Sequence, residues 1–190
     1  MLRWIGIFAG TIFLLSQPAA GQQSREAITL KITQDATSYT LTVPVSRLVM
    51  TVPKGELQIQ RGAASGAGNS PRYFYLATQS APQLIISGWF ESADGFKDIE
   101  SFWRTETAEW KRRGIAAPRN VSFEHIGAWN AALYDMHGSD VTNTNIRVHW
   151  VQSGTWIDIH LSLTGHEPLA MQRQKLREEL QSIKVAEKMR

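Results

Sequence analysis

The sequence predicts an α+β fold: an antiparallel-rich sheet with two main helices packed on it. Three observations carry this. Short segments in which apolar and polar residues alternate recur along most of the chain, the signature of half-buried strands. Two other segments repeat their apolar residues at spacings of three, four and seven, which puts them on one face of a helix. The order is several strands, one helix, several strands, one helix, without an internal repeat.

Residues 1–21 read as a secretory signal peptide. Met1-Leu2-Arg3 carries one positive charge, and Trp4 to Leu15 is an uncharged run of twelve residues. Ser16-Gln17-Pro18 breaks the run, and Ala19-Ala20-Gly21 supplies the small residues of a cleavage site. The run is too short to cross a bilayer as a helix, which takes about 20 residues. The chain has no cysteine, and so no lipid-attachment site. The expectation is an exported product, periplasmic or secreted, soluble and without a stable membrane anchor, in which residues 22–190 form a single α+β domain. A domain of that size buries roughly 70% of its unfolded surface. Packing alone can therefore hold it, and the missing cysteines exclude thiol chemistry and zinc–thiolate sites.

After a polar lead-in at 22–27, Ile28, Leu30 and Ile32 alternate with Thr29, Lys31 and Thr33. Past a turn at Gln34-Asp35-Ala36-Thr37, the alternation resumes at Tyr39, Leu41 and Val43, so the two segments read as a hairpin. Pro44 and Pro53 bracket a β-branched stretch at 45–52, and Leu57 with Ile59 marks a short strand after Lys54-Gly55. Residues 62–71 are almost all Gly, Ala, Ser and Asn, which predicts a mobile loop of a kind that often carries function. Strands follow at 72–78 and 84–91. The clearest helix starts near Asp94 or Gly95, with Phe96, Ile99, Trp103 and Trp110 on one face and Phe102 widening it. Asp98 and Glu100 in its first turns and Lys111-Arg112-Arg113 in its last suit the helix dipole. Gly114 can end it in a left-handed conformation, and Pro118 blocks continuation. Strands come next at 120–126 and 128–136, then a polar loop at 137–144. A second hairpin, 145–152 with 155–164, turns at Ser153-Gly154. The chain closes with a helix opened by Pro168 and lined by Leu169, Leu176, Leu180 and Ile183.

The stretch Leu48-Val49-Met50-Thr51-Val52-Pro53-Lys54-Gly55 is similar to the strand-then-PxG opening of PsbP-like domains. The ending Leu180-Gln181-Ser182-Ile183-Lys184-Val185 resembles the close of their last helix, and the resemblance runs over about residues 37–186. It implies an α/β/α sandwich, a fold used mostly by non-enzymatic binding or assembly proteins. Fold alone assigns no function.

The candidate site lies in the second hairpin. A two-residue turn at Ser153-Gly154 sets His149 opposite Asp158 and Arg147 opposite His160. Arg147, His149, Asp158 and His160 then share one face with Ser162, while Ile146, Val148, Trp150, Ile157, Ile159, Leu161 and Leu163 share the other, which must be the core side. Two histidines beside a carboxylate can bind a metal, with His137 or His166 as a third ligand, or set a general base beside its orienting acid. A solvent-facing ribbon needs a polar face in any case, and these residues supply one. Val151 and Trp156, on the same face, argue for cover by a helix or another molecule. The sequence therefore assigns no catalytic residue, metal ligand or cofactor.

Other signals are brief. Ser87-Gly88 and Ser153-Gly154 lack the glycines of a nucleophile elbow, and no phosphate-cradling loop, HExxH or calcium loop occurs. Glu91, Asp94 and Asp98 suit a helix start. The formal net charge of +3 is nearly balanced, and Lys111-Arg112-Arg113 is the only tight basic group, so no nucleic-acid partner is expected. Six of the seven tryptophans lie beyond residue 21, where a core role explains most of them. The reading is a non-catalytic domain that binds a protein partner or small ligand. The alternatives are a small metal-dependent or hydrolase-like periplasmic enzyme using the His/Asp face, and an envelope chaperone or assembly factor.

Overall fold

The structure is a computed structural model that describes residues 29–43, 46–60, 72–137 and 141–187. The expected signal peptide, the polar lead-in and the 62–71 loop lie outside the described residues. The fold is α+β with two antiparallel sheets. The smaller sheet is built from β1 (Lys31–Gln34), β2 (Ser38–Thr42), β3 (Leu48–Pro53) and β11 (Lys184–Glu187), in that order. The larger contains β4 (Gln58–Ile59), β5 (Tyr73–Ala77), β6 (Gln83–Ser92), β7 (Arg119–Ile126), β8 (Trp129–His137), β9 (Thr142–Gln152) and β10 (Thr155–Gly165). Its strand order is β4-β5-β6-β10-β9-β8-β7. The helices are α1 (Ile99–Arg112) and α2 (Leu169–Ser182).

Local chemistry fixes the turns. In the β1–β2 turn the Asp35 carboxylate accepts hydrogen bonds from the backbone N–H groups of Thr37 and Ser38, at 2.7 and 2.8 Å. Those bonds favour the charged form and lower the Asp35 pKa to about 2. In the β9–β10 turn, Ser153 and Gly154 both take positive φ, 50° and 70°, the mirror-image turn whose twist matches a tight hairpin. The register follows, with Gln152 opposite Thr155, His149 opposite Asp158 and Arg147 opposite His160.

Alternation then decides what each face meets. Ile146, Val148, Ile157, Ile159 and Leu161 are fully buried on the inner face of the larger sheet. They join one core with Leu41, Met50 and Val52 of the smaller sheet and Leu176 and Leu180 of α2. On β8, Ala131 and Leu133 belong to that core, whereas Ala132 and Tyr134 point the other way and pack against Ile99 and Trp103 of α1. The two helices thus cover opposite faces of the seven-stranded sheet. Gly88 lies against β10, opposite Ile159, and a Cβ there would strike the carbonyl oxygen of Asp158.

The elements differ from expectation in several places. α1 begins at Ile99 rather than near Asp94, because Ser92 and Asp94 close a separate 3₁₀ turn over Ala93–Gly95 and Phe96 is extended. Asp98 caps the helix by accepting from the Ser101 N–H at 2.6 Å, and Gly114, at φ 70°, ends it as expected. The polar loop is shorter than 137–144, because β8 runs to His137 and β9 starts at Thr142. On α2 the fully buried stripe is Gln172, Leu176 and Leu180, with Leu169 only partly covered. The Gln172 amide nitrogen donates to the Glu167 carbonyl at 2.8 Å, while its oxygen has no hydrogen-bond partner among the described residues. Residues after Ile183 do not extend the helix. They form β11, with Val185 opposite Met50 of β3. Among the described residues no helix is long and apolar enough to cross a membrane.

A polar cluster sealed beneath the first helix

Arg147, His149, Asp158 and His160 stand on one face, in the pairing that the turn dictates. That face is not open to solvent. His149 and Asp158 have 0% exposure and Arg147 8%. Phe96, just ahead of α1, and Phe102, on its first turns, close over the ribbon together with Trp156 of β10. Polar alternation is what a solvent-facing strand shows, but it marks only the second face of the sheet. It leaves open what lies on that face, and here the cover is aromatic.

Arg147 and Asp158 form a closed bidentate pair, with Nε to Oδ1 at 2.5 Å and Nη2 to Oδ2 at 2.6 Å. The guanidinium also lies 4.7 Å from the Trp89 ring centroid and 5.0 Å from that of Phe102. Burial pushes the Asp158 carboxyl up. The Arg147 charge, its two hydrogen bonds and the nearby His149 ring outweigh it, leaving the group below its ordinary value. His149 Nε2 is 3.4 Å from Asp158 Oδ1, too poorly aligned for a hydrogen bond, and Nδ1 has no partner. Its ring is boxed edge-on by Phe102 at 4.5 Å, Trp156 at 5.0 Å and Phe96 at 5.2 Å.

His160 belongs to a second network. Its Nε2 lies 2.9 Å from Asn145 Oδ1 and 3.1 Å from the Tyr134 hydroxyl, and its ring stacks on Tyr134 at an interplanar angle of 8°. Asn145 Nδ2 donates to the Asn143 carbonyl, so Oδ1 is the acceptor facing His160 and Nε2 carries the proton. Burial, reinforced by the Arg147 charge, lowers the His160 pKa to about 3. Burial likewise raises that of Tyr134. The four predicted residues therefore split into an Arg147–Asp158 pair with His149 behind it and a neutral His160 bonded to Asn145 and Tyr134.

Asn145, Tyr134, Trp89 and Phe102 were not legible as members of this cluster. Asn145 sits two residues before Arg147 and alternation alone could have found it. Tyr134 and Trp89 reach the cluster through pairing of β8 with β9 and of β6 with β10, which depends on connections that carry no turn signal. The extra ligands weighed for a metal do not join: His137 and His166 are both exposed, and among the described residues no group of three or more His, Cys, Asp or Glu is placed to hold a metal. Chemically, the arrangement holds a buried charge pair beside a partly covered neutral imidazole. A general base needs a path to its substrate, and here aromatic rings occupy that path.

No family model matches the chain, and no curated protein matches it. A crystal structure from Bacteroides thetaiotaomicron is similar over 74% of this chain and 46% of that one, at 11% identity and a TM-score of 0.43. The chain thus spans about half the length of that protein.

Proposed function

We propose that this chain is an exported, soluble, non-catalytic domain that binds or assembles with a partner protein or small ligand. One observation carries the reading: the residues best suited to acid–base or metal chemistry are paired off or walled in beneath α1. Asp158 is held by both arms of Arg147, and His149 is enclosed by three aromatic rings. Buried polar networks of this kind fix how a helix sits on a sheet. The signal-peptide pattern of residues 1–21 supports export, and the packing of one helix on each side of the larger sheet is consistent with the α/β/α sandwich that the PsbP-like motifs imply.

The test uses protein recovered after export, with its N-terminus sequenced and expected near Gln22. Zinc and copper are expected to leave its melting temperature unchanged. A metal-dependent rise that is lost in His149→Ala or His160→Ala, or metal-dependent turnover of an ester or phosphoester panel, would overturn the reading in favour of the enzyme.

A further inference from the structure

On the far side of the molecule from the polar cluster, the β3–β4 connection, the β5–β6 connection and α2 enclose a cavity of about 430 Å³. That volume is in the range of small-molecule sites. Its walls are apolar: Leu57, Leu84, Leu163 and Leu176 meet there with Pro53 and Pro82. Five charged side chains stand at its edge, and four of them are already engaged. Lys175 holds both Glu167 oxygens at 2.7 and 2.8 Å, and Lys54 lies 5.9 Å from the centroid of the Tyr39 ring. Glu56 accepts from Ser80, and Glu178 accepts from Gln174. The fifth is Glu179. Its carboxylate is partly buried and has neither a hydrogen-bond nor an ion-pair partner among the described residues.

We propose that this cavity binds a small amphipathic cation, an amine whose apolar body fills the leucine-lined space and whose ammonium group pairs with Glu179. The inference rests on the binding reading above and names the ligand class it would take. Charge complementarity selects the cation. An anion would have to pull Lys175 from Glu167 or Lys54 from its ring, and would meet three carboxylates at the rim. A neutral ligand would leave Glu179 desolvated and unpaired. An ammonium instead supplies the missing partner, and the charge-assisted bond is worth roughly tenfold or more in affinity. Desolvation, with Glu178 adding to it, raises the Glu179 pKa, the direction expected of a rim charge that a bound cation would stabilise.

Calorimetric titration of the full protein with octylamine, octanol and octanoate at neutral pH tests this. Octylammonium is expected to bind most tightly, with octanoate at least tenfold weaker. Glu179→Gln should cost octylammonium about tenfold while leaving octanol unchanged, and Ala81→Trp, at an exposed position of the cavity mouth, should weaken both. Glu179→Gln removes a strained charge and is expected to fold at least as well as the wild type, so loss of binding in that variant reads out the pairing. Equal affinity for all three probes, a preference for octanoate, or octylammonium binding untouched by Glu179→Gln would each overturn the proposal. Failure of octylammonium to bind removes this inference and leaves the binding reading standing, whereas turnover of a substrate removes that reading itself.

Discussion

Arg147 and Asp158 are buried together, and neither can be removed alone without leaving an unpaired charge beneath α1. Losing one partner of such a pair typically costs about 3–5 kcal/mol, whereas replacing both by apolar residues of similar volume is often neutral. Asp158→Asn and Arg147→Met are therefore each expected to lose stability in that range, and Arg147→Met combined with Asp158→Leu to regain most of it. A urea-melt double-mutant cycle checks this, and strictly additive losses would count against it. His160 makes a separate, pH-dependent contribution. Its folded-state value, about 3, lies below the ordinary value of 6.5, so the folded protein binds fewer protons than the unfolded chain between those two pH values. Stability is complete above pH 6.5 and falls as the pH drops toward 3, with a limiting slope of about 1.4 kcal/mol per pH unit for one proton. His160→Gln is expected to flatten that part of the curve. Asp158, lowered from 3.8, acts in the same direction but only below that value. The identities and register of these residues were readable from one turn and strict alternation. Their burial was signalled only by Val151 and Trp156 on the same face, because the polar alternation itself is the same whether Phe96 and Phe102 or water covers it.

The elements show the same division. α1 was legible because Ile99 and Trp103 fall at helical spacing, and both are buried at 7% exposure. Trp103 packs against Tyr134 at 4.7 Å and Trp110 at 5.6 Å, while Trp110, hydrogen-bonded to Glu106, stays partly exposed. Trp103→Ala is expected to cost about 3–5 kcal/mol, the range for large aromatics cut back in cores. Denaturant melts check it, and a loss below about 1 kcal/mol would mean that α1 does not depend on this contact. The start of the helix was misplaced because Phe96 fits its periodicity while belonging to the extended approach, where it closes over His149 instead. β11 was hidden for a different reason. Four residues are too few to show a period of their own, and their strand character comes from β3, which offers its free edge beside Leu180 and Ile183.

At the scale of the molecule, one core joins both sheets and α2, and this sets how the protein should unfold. Leu41, Leu48 and Met50 of the smaller sheet, Ile86, Ile146 and Ile159 of the larger, and Leu176 and Leu180 of α2 share a single buried cluster. The chain leaves the smaller sheet after β3 and returns to it only as β11, after passing through the whole of the larger one. Neither sheet can keep its apolar face covered without the other, so the expectation is one cooperative transition. The tryptophans make this measurable by halves. Trp89, Trp129, Trp150 and Trp156 lie in the larger sheet and Trp103 and Trp110 in α1, whereas the described strands of the smaller sheet contain none. Fluorescence therefore follows the larger sheet and α1, and far-ultraviolet circular dichroism follows both sheets. The two urea transitions are expected to superimpose. A dichroism change that precedes the fluorescence change would mean that β1, β2, β3 and β11 separate first, and that the core shared across the sheets does not bind them into one unit.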